Sequence, residues 1–129
     1  MTEAVALVDD LFFASKLYET AKRAGVTLEI VLTGEALITK AAANPTAMVI
    51  VDLNAHQGPL EALEKIIRAK IAGKPRRIIA FLSHVQTELA DRARAAGCQE
   101  VMPRSKFSQN LVAILREAKP DGQTTAGKA

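Results

Sequence analysis

Residues 47–53, Ala47-Met48-Val49-Ile50-Val51-Asp52-Leu53, decide the fold. The run is apolar but for one carboxylate, and turn-forming stretches flank it: Asn44-Pro45 before, Asn54 to Pro59 after. A short apolar run between such breakers reads as a strand covered on both faces, the pattern of a parallel sheet. Asp52 interrupts the run near its end. A carboxylate there costs burial energy unless the strand stops at it or the charge is used.

The same reading extends outward. Toward the C-terminus, residues 60–71 carry Leu60, Leu63, Ile66, Ile67 and Ile71 at helical spacing, and Gly73-Lys74-Pro75 breaks them off. Residues 77–82 form another apolar strand. A helix follows over 87–96, with Thr87 as candidate cap and Gly97 past its end. A short strand falls at 100–102, and Ser108 opens a last helix to Ala118. Toward the N-terminus, residues 4–8 are a strand that stops at Asp9-Asp10. Residues 14–24 place Leu17, Ala21 and Ala24 on one helical face and end at Gly25. Residues 27–32 suit a strand, and Thr33 caps a helix that runs to Ala43. The β-α unit recurs five times. This alternation predicts an α/β protein: a five-stranded, doubly wound parallel sheet in a three-layer α/β/α sandwich. Residues 1–118 form the expected domain. Residues 119–129, almost without apolar side chains, form an expected disordered tail.

Composition bounds the function. The chain has 129 residues, which suits one domain, and 49% of them are apolar. One cysteine allows no intrachain disulfide, and Cys98, His56 and His84 lack zinc-ligand spacing. No apolar run approaches the ~20 residues of a membrane span. The first residues lack a basic signal-peptide start, so a cytoplasmic protein is expected, without membrane insertion. The net charge of +3 is spread along the chain, which gives no argument for direct nucleic-acid binding. The Gly-rich turns of dinucleotide and P-loop sites are absent, as are flavin phosphate loops and the Asp-x-Asp of aspartate-nucleophile phosphatases. An enzyme is not expected.

In an open parallel sheet, ligands bind beyond the carboxyl ends of the strands. Those ends carry Asp9-Asp10, Asp52, Ser83-His84 and Pro103-Arg104-Ser105. Three carboxylates, a hydroxyl and a guanidinium would meet on one edge. Clustered carboxylates repel, and a hard divalent cation such as Mg²⁺ relieves the repulsion. A hydroxyl and a cation could then hold phosphoryl oxygens during transfer to an aspartate. Alternatively, Asp9-Asp10 could simply cap the first helix.

These residues resemble the receiver domain of two-component response regulators, which has the flavodoxin-like (βα)5 fold. Over residues 4–118, Val8-Asp9-Asp10 is similar to the family's acidic pair. Ile50-Val51-Asp52-Leu53 is similar to its phosphoacceptor strand, Phe81-Leu82-Ser83 to the strand ending in Ser or Thr, and Gly97-Cys98 to its Gly-Ala. The resemblance implies a single-domain response regulator in phosphorelay signalling. Asp52 would be the phosphoacceptor. Asp10 and Asp52 would ligate Mg²⁺ directly, Asp9 through water, and the Asn54 carbonyl would complete the set. Ser83 would bind a phosphoryl oxygen. The implied partners are a sensor histidine kinase or phosphotransfer protein, a downstream protein, and a second copy in a homodimer.

Other positions depart from the family. Its invariant Lys falls on Arg104, which keeps the charge but offers a planar fork and could pair lastingly with Asp52. The aromatic switch position falls on Val101, the usual Pro on Ser105, and the small residue after Ser83 on His84. The acidic half of the site is kept and the switch half rewritten. A second reading is therefore a pseudo-receiver that binds proteins without phosphorylation. Phe12, His84 and Phe107 are expected to rim the site. Of Phe12 and Phe13, one is expected to pack beneath the first helix. Cys98 is expected to be a small buried residue, and Arg76-Arg77 a solvated pair at the opposite edge.

Overall fold

The computed structural model describes residues 2–69, 76–83 and 87–119. Five strands alternate with helices: β1 (Ala4–Leu7), α1 (Leu11–Ala24), β2 (Leu28–Val31), α2 (Gly34–Ala43), β3 (Met48–Asp52) and α3 (Pro59–Arg68). Then come β4 (Ile78–Leu82), α4 (Thr87–Ala95), β5 (Glu100–Pro103), α5 (Arg104–Gln109) and α6 (Leu111–Arg116). The strand order is β2-β1-β3-β4-β5, and every pairing is parallel. The apolar run around Asp52 is thus the central strand.

Alternation along the strands feeds two cores, as a parallel sheet covered on both faces requires. Val49 and Val51 of β3 join Val5, Leu7, Leu37 and Leu63 on one face. Met48 and Ile50 join Ala6, Leu17, Ile79 and Leu115 on the other. Helix α1 buries Phe13, Leu17 and Ala21, which lie four residues apart on one stripe. Its last turn closes on Gly25, whose φ of 74° is the left-handed conformation that glycine adopts at no steric cost. Thr33 caps α2 as expected, its hydroxyl accepting the Ala36 N–H at 3.1 Å.

Two boundaries differ from expectation. The last helical segment begins at Arg104, not Ser108, and breaks at Asn110 into α5 and α6. Pro103, with φ −64° and ψ 150°, sits at the N-cap of α5. At the break Asn110 leaves helical geometry, with φ −108° and ψ 14°, and its side-chain amide donates to the Lys106 carbonyl beside its own N–H. Asp10 closes the other gap. It caps α1 directly, so the helix starts at Leu11, three residues earlier than the apolar spacing predicts.

Candidate functional site

The carboxyl ends of β1, β3, β4 and β5 deliver the expected residues to one edge. Asp52 ends β3 and, among the described residues, is the buried charged one, at 1% exposure. Its Oδ1 accepts the Asn54 N–H at 2.9 Å. Its Oδ2 accepts from Nη2 of Arg104 at 3.1 Å. Burial pushes the Asp52 carboxyl above its ordinary value, against the pull of the Asn54 N–H and the Arg104 charge.

Arg104 reaches two carboxylates with one planar fork. Its Nη1 donates to Asp10 Oδ2 at 3.0 Å while its Nη2 holds Asp52. Asp10 is at once a partner of this bridge and the cap of α1, its Oδ1 accepting the N–H groups of Phe12 and Phe13. The Arg104 bond and the Phe13 N–H hold its carboxyl below the usual range. The cap reading of Asp10 holds through Oδ1, while Oδ2 is engaged by Arg104.

Beneath the fork lies an aromatic floor. The guanidinium carbon of Arg104 stands 4.4 Å from the ring centre of Phe13 and 5.7 Å from that of Phe81. Phe13 meets Phe81 edge-on at 5.2 Å, and Phe81 stacks on Phe107 at 4.6 Å. Ring faces attract a cation and exclude water, so the floor fixes the guanidinium while leaving its buried Nε without a partner. Lysine, a compact point charge, could not lie flat here and reach both acids.

Phe107 corrects the sequence reading. It is fully buried, not on the rim. The cause is the early start of α5: Arg104 and Phe107 are three residues apart on one helix face, and both point inward. Phe12 does lie outside, 90% exposed, beside Leu11 at 78%. Phe13 is the one that packs beneath α1. His84 lies outside the described residues. Val101 packs against the first core and brings no ring to the site.

Asp9 is turned to a partner that sequence reasoning missed. Its Oδ2 accepts the His56 N–H at 2.8 Å and lies 2.9 Å from the His56 ring Nδ1. Burial raises the Asp9 carboxyl, but the two His56 bonds outweigh it and hold it below its ordinary value. The Asn54 side chain was also missed. Its Oδ1 accepts both the N–H of Ser83, at 2.6 Å, and the Ser83 hydroxyl, at 3.0 Å. No local pattern marks such contacts, which join residues 29 and 47 positions apart. The one available signal was that both lie in the loop directly after Asp52.

The donor atoms, carboxylate and carbonyl oxygens, suit a hard divalent cation. Among the described residues, however, no group of three or more His, Cys, Asp or Glu side chains is gathered as a metal centre. Asp10 and Asp52 are joined by the Arg104 guanidinium instead, and Asp9 is turned to His56.

No family model matches the chain. No curated protein matches it. Solved structures do. The N-terminal domain of a response regulator/sensory box/GGDEF three-domain protein from Carboxydothermus hydrogenoformans matches at 19% identity, with a TM-score of 0.70, over 89% of this chain and 91% of that one. A response regulator signal receiver domain from Bermanella marisrubri matches at 18% identity and TM-score 0.67, over 89% and 98%. The beryllofluoride-activated NtrC4 receiver domain dimer matches at 14% and 0.67, over 92% and 100%. Likeness at such identity establishes the fold alone, and the fold that β2-β1-β3-β4-β5 and the six helices of the described residues build is that of response-regulator receiver domains.

Proposed function

We propose that this chain is a receiver module of two-component signalling, in which Asp52 takes a phosphoryl group from the phosphohistidine of a sensor histidine kinase or phosphotransfer protein and the output is read through protein contact. One observation carries the proposal: a buried carboxylate at the centre of the sheet edge faces a fixed guanidinium, with a second carboxylate, a hydroxyl and an amide around it. In the transfer, an Asp52 carboxylate oxygen bonds to phosphorus as the histidine N–P bond breaks, and the imidazole nitrogen keeps the electron pair. Arg104 meets the phosphoryl oxygens by leaving Asp10, and a bidentate fork suits that geometry. Ser83 offers its hydroxyl to another phosphoryl oxygen once it turns from Asn54 Oδ1. Asp9, Asp10, Asp52 and the Asn54 carbonyl would hold Mg²⁺, which would screen the incoming phosphoryl charge. The test is incubation with acetyl phosphate and Mg²⁺, read by intact mass. One phosphoryl adduct is expected on the parent chain and none on Asp52→Asn; an adduct of equal yield on Asp52→Asn would defeat the assignment.

A second reading has its own observation. Arg104 already bridges Asp10 and Asp52, so the fork that would meet a phosphoryl group is engaged within the chain. On that reading the chain is a pseudo-receiver that binds its partner without phosphorylation. Labelling distinguishes the two. If the bridge closes the site, the parent takes no label and Arg104→Ala takes some; a parent that labels readily excludes the closed site.

A further inference from the structure

The opposite edge of the sheet holds a cavity of about 780 Å³, far from Asp52. It lies where α2 and α3 end and β4 and β5 begin. Ile38, Ile66, Ile67 and Ile78 supply apolar walls, and Lys65 and Arg76 supply charge. The volume falls within the ~300–1,000 Å³ range of small-molecule sites.

Arg76 is the unexplained group. Its guanidinium donates one bond, from Nη2 to the Ala41 carbonyl at 2.8 Å. Its Nη1 is buried with no partner. Burial pulls its basicity below the ordinary value. A buried donor without an acceptor carries a desolvation cost, and in native proteins such groups call for a partner. The neighbouring Arg77 is different: it grips Glu100 through two bonds and also meets Glu117. Among the described residues, Arg76 and Lys65 meet no carboxylate.

Charge selects the ligand class. The C-termini of α2 and α3 point to this edge, and each contributes roughly −0.5 of an elementary charge. Of the described lining cations, Arg77 is paired with Glu100 and Lys65 is exposed to solvent, so Arg76 is the one partly buried cation set against these helix ends. That balance suits a monoanion better than a dianionic phosphate, and the isoleucine walls suit an aliphatic body.

We infer that this basal cavity binds a small aliphatic monocarboxylate, with its carboxylate at Arg76 and its hydrocarbon against Ile38, Ile66 and Ile67. The inference stands apart from the phosphoryl reading, because no residue is shared with the acidic edge. The probe is hexanoate, titrated into the full chain and followed by ¹H–¹⁵N chemical shifts, with hexanamide as the neutral analogue. Hexanoate is expected to shift the amides of Ala41, Ala42, Cys98 and Gln99 saturably, and hexanamide to bind at least tenfold more weakly. Arg76→Met, which keeps the stem and removes the charge, is expected to abolish the preference. Ala42→Phe fills the cavity from an exposed helix position and is expected to abolish both titrations. If Arg76→Met fails to fold, the two probes on the parent chain and on Ala42→Phe still decide. No saturable shift, equal affinity for the two probes, or binding untouched by Ala42→Phe would each overturn the inference.

Discussion

The two edges of the sheet each hold a partly buried arginine, one paired with carboxylates and one not. Arg104 lies across two carboxylates and a ring face. Arg76 has one carbonyl and an unpartnered Nη1. Neither is fully exposed. The comparison teaches that what an arginine does in a fold is set by what its fork meets, and that the edge with surplus acid has taken its cation from within the chain.

The sharpest way to break the contrast is to remove each cation in turn. Arg104→Met leaves Asp52 buried without its counter-charge. It is expected to cost about 2–3 kcal/mol by urea unfolding near neutral pH, somewhat under the figure for a wholly buried pair because Arg104 keeps contact with water. The sign of the pH dependence follows from Asp52. Its folded pKa lies above the unfolded one, so the folded state binds the proton more tightly, and falling pH favours folding through that window. Removing Arg104 raises the folded pKa further, so the deficit should shrink as the pH is lowered from neutrality. A deficit that stays constant over that range would show that lost packing, not a buried carboxylate without its counter-charge, is the cause.

Phe13→Leu probes the floor, not the charges. A loss of about 1–2 kcal/mol is expected from lost ring contacts. In a double-mutant cycle with Arg104→Met, a coupling of about 0.5–1 kcal/mol should appear if the ring holds the guanidinium. Additive effects would mean that the ring is only core.

Arg76→Met is the counterpart at the other edge. It removes one carbonyl bond and one poorly compensated charge together, so a change under about 1 kcal/mol is expected in the absence of ligand. A loss as large as that of Arg104→Met would erase the distinction between the edges. His56→Ala is the smallest change: about 0.5 kcal/mol, since the ring is 87% exposed and screened. Asp9 has its pKa lowered, so its contribution is present above the unfolded value and is lost as pH falls through the folded one. The parent and His56→Ala should therefore converge in acid.

The fold was legible because its signals are local. Apolar runs such as 47–53, breakers such as Asn44-Pro45 and Gly25, and the Thr33 cap each act within a few residues of themselves. The acidic edge was legible for a related reason: in a parallel sheet, strand ends share one side, so Asp9, Asp10, Asp52, Ser83 and Arg104 follow from strand positions. Pairing within that edge was not. Whether Asp9 turns to His56, or Ser83 to Asn54, depends on side chains brought together only by tertiary folding. Phe107 was misplaced because one boundary, the start of α5, moved by four residues and turned a loop position into an inward helix face. Arg76, read as solvated, is half-buried because it bonds the last turn of α2, a contact 35 residues away in sequence.

The loop that carries Asn54 and His56 is tied down at one further point. The Gly34 N–H, at the start of α2, donates to the Gln57 carbonyl at 2.7 Å, and a methyl at Gly34 would stand 2.4 Å from the Gly58 carbonyl oxygen. No side chain fits between the two backbones. Position 34 is therefore a sequence marker. In a homologous chain, glycine there permits the loop to lie as it does here, with Asp9 and Ser83 held. Any larger residue announces a different loop, and with it a differently wired acidic edge, before a structure is seen.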